Sequence, residues 1–245
     1  MNIYFDLLHK PIFSLYDVDA FYNNLQTSLS SLRSLINKEQ VTRIKRNMYT
    51  CISGETGNPI ANKYQIGCAI SKDSYISHHS AMEYYGVCNQ VSYDVYVSSS
   101  TRFRDFDFDD YSFKYVHSNL NKGIEEITFS GGVRVTSKER TIVDCIKDMD
   151  KISGIEEVNE NISNFGKINQ DKIIEFLDAY DNQFLFQKTG YLLSKYKEQM
   201  KLNDDFFDYC KSKIGKSKRY LTNESNNGKL NNEWNLVIPN NILKL

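Results

Sequence analysis

The segment SSLRSLINKEQVTRIKRNMYT, residues 30–50, decides the fold of the N-terminal part of this chain. It carries five Lys and Arg residues and one acid. Its first half places apolar side chains at helical spacing. Its second half alternates Thr42 and Ile44 with Arg43 and Lys45, which is the period of a β-strand. The segment therefore predicts a helix followed by a basic hairpin.

Three helices are predicted ahead of that hairpin. Apolar residues within 1–9 indicate a short first helix, because Pro11 disfavours its continuation. Ser14 followed by Asp17 has the spacing of a capping box and predicts the start of a second helix. The third helix is predicted from Asn24 to about Lys38. Its apolar stripe is expected to comprise Leu25, Leu29, Leu32 and Ile36.

The opposite face of the third helix has the character of a DNA-recognition helix. Short hydroxyl side chains let a helix approach base edges in the major groove, while an arginine reaches guanine or phosphate. The residues predicted to contact DNA from this helix are Thr27, Ser30, Ser31, Arg33, Ser34 and Lys38. The hairpin adds Arg43, Lys45, Arg46 and Asn47, the last two in its tight turn.

A winged helix has this order of elements: a helix, a helix-turn-helix and a basic hairpin. The order therefore predicts double-stranded DNA as the partner. Two other interpretations stay open. Positive residues commonly protect an exposed strand edge, and some winged helices bind protein.

Charge and composition locate this domain within the chain. The 245 residues have a formal charge of −1, but residues 1–52 hold six Lys and Arg against four Asp and Glu. The segment SGETGNPI, residues 53–60, has the composition of a linker. We therefore predict a winged helix-turn-helix domain at 1–52, a linker at 53–60 and a larger domain at 61–245.

The larger domain is predicted to be mixed α+β, with strands first and helices after. A Ser77-capped helix, alternating apolar residues at 93–97 and a Gly131–Gly132 turn mark the first half. Ile142, Val143, Ile146 and Met149 share one face of a helix that begins after Ser137. Further helices are predicted at 154–164, 170–180, 184–199 and 204–214.

The sequence does not match the motifs of several enzyme and metal-binding classes. No Asp or Glu is followed two residues later by Lys, so the restriction-type [DE]xK motif is absent. The acidic run at 105–110 lacks the glycine and glutamate of an EF-hand and is interpreted as a solvated strand face. His78 and His79 are interpreted as cap or packing residues, since helix neighbours do not face each other. We expect no enzymatic activity, no catalytic residues, no metal and no cofactor.

The segment KSKIGKSKR, residues 211–219, is a second basic cluster. One interpretation is a solvated helix end, with lysines near the C-terminal dipole. The other is a second nucleic-acid surface. Its cations are Lys211, Lys213, Lys216, Lys218 and Arg219.

The lack of a recognisable targeting signal and the pattern of cysteines favour a cytoplasmic protein. The N-terminus MNIYFDLLHKPIF lacks the basic region and apolar core of a signal peptide, and no apolar run is long enough to cross a membrane. The five cysteines are widely spaced with no CxxC, so free buried thiols are expected.

Four segments together resemble the AbiEi-type transcriptional regulators, the antitoxins of bacterial type IV toxin-antitoxin systems linked to abortive phage infection. They are LRSLINKEQVTRIKRNMYT, YISHHSAMEYYGV, SKERTIVDCI and FQKTGYLL, which follow the family's order between residues 29 and 193. Lys188 stands where that family more often has Arg, and Asn47 where Gly is usual. The C-terminal part has no counterpart.

The resemblance implies a protein with two functions. A winged helix would bind inverted repeats in its own promoter and repress the operon. The second domain would counteract a nucleotidyltransferase-like toxin without a stable complex. An alternative is a stand-alone transcription factor whose C-terminal domain senses a ligand.

Overall fold

The computed structural model describes residues 3–152, 154–222, 228–240 and 242. The elements of the first half are α1 (Ile3–Leu7), α2 (Leu15–Tyr22), α3 (Leu25–Asn37), β1 (Val41–Lys45), β2 (Met48–Cys51), α4 (Lys63–Ala69), β3 (Tyr75–Ile76), α5 (His78–Tyr84), β4 (Asp94–Ser99), β5 (Phe106–Phe108), β6 (Tyr111–His117), β7 (Ile124–Glu126) and β8 (Arg134–Thr136). Those of the second half are α6 (Lys138–Ile152), α7 (Gly154–Ser163), α8 (Gln170–Tyr180), α9 (Gln183–Ser194), α10 (Lys197–Met200), α11 (Asp204–Lys213), β9 (Arg219–Tyr220), β10 (Gly228–Asn231) and β11 (Leu236–Pro239).

The three predicted N-terminal helices and the hairpin are confirmed as elements. The capping box forms at the start of α2, where the Ser14 backbone N–H donates to the Asp17 carboxylate at 2.8 Å. The Asn24 side chain caps α3 by accepting from the Thr27 N–H at 2.9 Å. These caps satisfy backbone donors that a helix start otherwise leaves unpaired.

The predicted apolar stripe of α3 is partly confirmed, since Leu32 is buried and Ile36 packs against the core, while Leu29 is half-buried. The buried residues of the helix are Ser28, Leu32 and Leu35, whereas Leu25 is 54% exposed. A buried serine interrupts the apolar pattern, but its hydroxyl donates to Asp19 at 3.0 Å. Because that hydrogen bond satisfies the hydroxyl group, Ser28 can lie on the side of α3 that faces the core.

The chain divides into two compact units, each described by itself. The first comprises the residues up to 76 together with 93–117 and 126–134. The second comprises 77–92, 118–125 and the residues from 135 onward. The predicted linker at 53–60 lies inside the first unit.

The first unit contains a small apolar core beneath α1–α3 and β1–β2, and a sheet. Residues of the core include Ile3, Leu7, Val18, Leu32 and Val41. In the sheet, β3, β4, β5 and β6 follow the order β5-β6-β4-β3, with β4 parallel to β6 and the other pairs antiparallel.

Helix α4 packs closely on this sheet. A Cβ atom at Gly67 would lie 2.7 Å from Ile76 Cδ1 and 2.9 Å from Val97 Cγ2. Because real Cβ contacts are longer, a larger residue at this position would require Ile76 or Val97 to shift. The packing therefore holds α4 against β3 and β4.

The second unit is mainly helical. The predicted face of α6 is confirmed, since Ile142, Val143, Ile146 and Met149 are all fully buried. The predicted helices around 154, 170, 184 and 204 are also confirmed as α7, α8, α9 and α11.

Three strands follow the helices, so the predicted order of strands and then helices is only partly right. Strand β11 pairs antiparallel with β10 and parallel with β9. Leu236 and Ile238 of β11 and the nearby Trp234 are buried in the core of this unit. The chain is thus a mixed α+β protein with strands at both ends of its helical region.

Candidate nucleic-acid interface

A tight connection fixes the angle between α2 and α3. Asn23 has a left-handed φ of 50°, and its N–H donates to the Asp19 carbonyl at 2.6 Å. The Tyr22 hydroxyl lies 3.0 Å from Ser31 Oγ. These contacts hold the exposed face of α3 in a defined orientation.

The predicted contact residues of α3 divide into two groups. Ser31 is half-buried and shares its hydroxyl with Tyr22, so it helps to position the helix. The others are exposed along one side of the helix and just beyond it: Thr27, Ser30, Arg33, Ser34 and Lys38. The exposed surface is therefore hydroxyl-rich with two cations.

The hairpin is joined to α2 through its turn. Asn47 has a φ of 57°, and its side-chain oxygen accepts from the Leu15 N–H at 3.0 Å. Backbone hydrogen bonds of 3.0 and 2.9 Å pair Phe13 with Tyr49. The structure thus uses the predicted turn residue Asn47 to position the hairpin.

The hairpin cations differ in their exposure. Arg43 and Arg46 are exposed, and Arg43 Nε donates to the Lys45 carbonyl at 3.2 Å. Lys45 is half-buried, and its ammonium lies 4.9 Å from the Phe106 ring centroid and 5.6 Å from that of Phe103. Burial lowers the pKa of Lys45. Arg43 and Arg46 are therefore more accessible to a phosphate than Lys45.

A groove of about 880 Å³ lies between the C-terminal end of α3 and the hairpin. Lys38 and Arg43 line it, together with Tyr4 and the glycines of the loop at 54–57. Glu39 also lines the groove, so its walls carry two cations and one acid.

The second basic cluster lies in the second unit and is partly neutralised. Lys211 Nζ is 2.8 Å from the Glu233 carboxylate, and Lys213 Nζ is 3.2 Å from that of Asp178. Lys216, Lys218 and Arg219 are exposed. Because Lys211 and Lys213 lie in the last turn of α11, their position suits the helix dipole.

The start of α5 holds a buried polar cluster that the sequence did not predict. His78 has a left-handed φ of 53°. Its Nδ1 lies 2.8 Å from Ser77 Oγ and its Nε2 lies 3.4 Å from Asp148 Oδ2. Lys188 Nζ donates to the Lys147 carbonyl at 3.1 Å. Ser77, His78 and Asp148 are thus connected through the His78 ring, and Ser77 is fully buried.

A second buried network explains the segment SKERTIVDCI. Arg140 is fully buried, with Nε donating to Asp144 at 2.8 Å and an NH1 group donating to the Lys122 carbonyl at 2.7 Å. The Tyr180 hydroxyl donates to Asp144 at 2.6 Å. A buried charge pair needs such additional hydrogen bonds to be tolerated. The network is therefore part of the core.

The acidic run forms the exposed edge of the sheet. Asp105 accepts from the Tyr115 N–H at 2.9 Å, and Asp107 accepts from the Ser112 hydroxyl. In the described part of the chain, no three His, Cys, Asp or Glu side chains converge as a metal site.

All five cysteines are free, and four of them are buried.

The fold is similar to that of the RV2827C protein from Mycobacterium tuberculosis, known from a crystal structure. The TM-score is 0.67 over 97% of this chain and 90% of that one, at 11% sequence identity. At this identity the likeness concerns the fold alone. No protein-family model matches the sequence, and no curated protein matches it. Among the described residues, no helix has the length and apolar character needed to cross a membrane.

Proposed function

We propose that this protein is a DNA-binding transcriptional repressor, in which α1–α3 and the β1–β2 hairpin act as a winged helix-turn-helix. The observation that carries the proposal is the exposed, hydroxyl-rich face of α3 beside the exposed Arg43 and Arg46 of the hairpin. Such a face enters the major groove, while the hairpin cations contact phosphates.

The dimensions of α3 support this proposal. Its 13 residues give a length of about 20 Å, and the major groove is about 12 Å wide and admits one helix. Ser30 and Ser34 lie one turn apart, with Arg33 beside them. The small hydroxyls allow close approach, and Arg33 supplies a guanidinium long enough to reach a base edge.

We further propose, from the resemblance to AbiEi-type regulators, that the protein is the antitoxin of a type IV toxin-antitoxin system. The repressor would bind inverted repeats upstream of its own gene. The remainder of the protein would oppose a nucleotidyltransferase-like toxin without forming a stable complex, and without catalysis of its own.

A mobility-shift titration tests the DNA-binding proposal. The probes are the DNA upstream of the gene and a random duplex of equal length. The variants are Arg43→Ala/Arg46→Ala and a charge-matched control, Lys167→Ala/Lys172→Ala, which removes two exposed cations of the second unit.

The wild type should bind the upstream DNA more tightly than the random duplex. The Arg43/Arg46 variant should lose affinity for both probes, and its slope of log K against log salt should decrease by about 1.8, or about 0.9 per lost contact. The control should match the wild type. Failure of the wild type to shift either probe at low salt would refute the proposal.

Co-expression tests the antitoxin role. A nucleotidyltransferase-like protein encoded beside this gene should arrest growth when expressed alone, and this protein should restore growth. The Arg43/Arg46 variant, expressed from a foreign promoter, should restore growth equally well, because neutralisation would not depend on repression. Absence of such a neighbour, or of rescue, would favour a stand-alone transcription factor.

A further inference from the structure

The segment at 100–106, STRFRDF, is held rigidly at its N-terminal end. The Asp73 carboxylate accepts from the Ser100 N–H at 2.7 Å, the Ser100 hydroxyl at 2.6 Å and the Thr101 N–H at 3.1 Å. Three hydrogen bonds to one carboxylate fix the backbone where it leaves β4. The residues that follow therefore have a defined position in the first unit.

The same segment is also fixed at its other end. The Asp105 carboxylate accepts from the Tyr115 N–H at 2.9 Å. Phe103 packs edge-on against Tyr115 with ring centroids 5.1 Å apart, and Phe106 stacks on Phe113 at 4.8 Å. The aromatic side chains of this segment are thus used to attach it to β6.

Lys45 connects the hairpin to this segment. Its ammonium lies over the rings of both Phe106 and Phe103, a cation–π arrangement. Arg102 and Arg104 directly precede and follow Phe103, whose ring Lys45 contacts, and neighbouring Cα atoms are about 3.8 Å apart. The two arginines are therefore neighbours of the hairpin that carries Arg46.

Arg102 and Arg104 are both exposed. In the described part of the chain neither has an ion pair or side-chain hydrogen bond, although their backbone is anchored on both sides. We propose that Arg102 and Arg104 extend the DNA-binding surface beyond the hairpin, by contacting the phosphate backbone of the same double-stranded DNA. This inference rests on the proposed function and adds two phosphate contacts to it.

Four exposed acids follow the arginines, Asp105, Asp107, Asp109 and Asp110, and they constrain how DNA approaches. Asp105 and Asp107 are exposed, and each accepts a hydrogen bond from β6. DNA that contacts Arg102 and Arg104 passes near Asp107. Because like charges repel, neutralising Asp107 should strengthen binding, whereas removal of the arginines should weaken it.

The test is a salt titration of DNA affinity with the full-length protein. Arg102→Ala/Arg104→Ala is compared with wild type, with Asp107→Asn and with the control Lys167→Ala/Lys172→Ala. The double arginine variant should reduce the salt slope by about 1.8. At 0.1 M salt this corresponds to roughly 60-fold weaker binding, equally on upstream and random DNA. Asp107→Asn should bind more tightly than wild type.

The outcomes separate this inference from the proposed function. If the wild type binds DNA and the double arginine variant keeps its salt slope, the extended surface is wrong and the winged-helix proposal stands. If the wild type binds no DNA, the proposed function itself fails. A folding defect is recognised from circular dichroism, and in that case Arg102→Lys/Arg104→Lys should retain the wild-type slope if charge alone is needed.

Discussion

Replacing Gly190 with alanine should destabilise the protein, although alanine is the better helix former. Gly190 lies within α9, where a Cβ atom would be 2.1 and 2.2 Å from two ring carbons of Trp234. Ordinary carbon contacts are about 3.5–4.0 Å. The overlap exceeds an ångström, so the ring or the helix must move.

The surroundings of Trp234 resist that movement. The residue is 1% exposed, and its carbonyl accepts from Gln187 Nε2 at 3.0 Å. Overpacking of this kind costs about 1–3 kcal/mol, and the size of the overlap places Gly190→Ala at the upper end. The gain in helix propensity is about 1 kcal/mol. The expected net loss of stability is therefore about 2 kcal/mol.

Urea unfolding at constant pH measures the effect. The matched control is Gly54→Ala, because a Cβ there meets no heavy atom within 4 Å, and its stability should change by less than about 0.5 kcal/mol. Trp234→Leu in the Gly190→Ala background should recover part of the loss, with a coupling above about 1 kcal/mol. Equal stabilities of the two alanine variants, or no coupling, would refute the steric argument.

Two further predictions concern charge. Burial lowers the pKa of Lys188 from 10.5 to about 8, against the attraction of Asp150 and Asp148. Between pH 8 and 10.5 the unfolded chain then binds more protons than the folded protein. The stability of the wild type relative to Lys188→Met should therefore rise with pH in this range, by up to about 3 kcal/mol. A stability difference in urea unfolding that does not change with pH would contradict this. Arg33→Ala should weaken binding to the upstream DNA by about 1–3 kcal/mol more than binding to random DNA. Arg43→Ala should weaken binding to both DNAs equally. Equal losses on the two DNAs for Arg33→Ala would show that Arg33 makes no base contact.

The helices could be predicted because their signals are local. A capping side chain and an apolar face a few residues away determine where α2, α6 and α8 begin. The burial of Ser28 on α3 was harder to predict, since its hydroxyl has acceptors in both the Asn24 carbonyl and the Asp19 carboxylate of another helix. From sequence alone, a polar residue is predicted to lie on the surface unless its hydrogen-bond partner is known.

The C-terminal sheet was missed for a related reason. Asn and Lys, which are depleted in strands, surround the apolar residues of β11. The strand is stabilised by pairing with β9 and by the burial of Leu236 and Ile238. Similarly, Arg140 and Asp144 are visible as a helical pair, but Tyr180 joins them from a different helix. Contacts between distant segments decide these features.

Intramolecular partners separate the residues that position the candidate interface from those that are available to DNA. Ser31 bonds to Tyr22, Asn47 to the Leu15 N–H, and Lys45 lies over two phenylalanine rings. A side chain with such a partner must give up that contact before it binds a phosphate, which reduces the net gain. All three are predicted from pattern alone as DNA contacts. Substituting these residues should therefore change the geometry of the surface more than its charge.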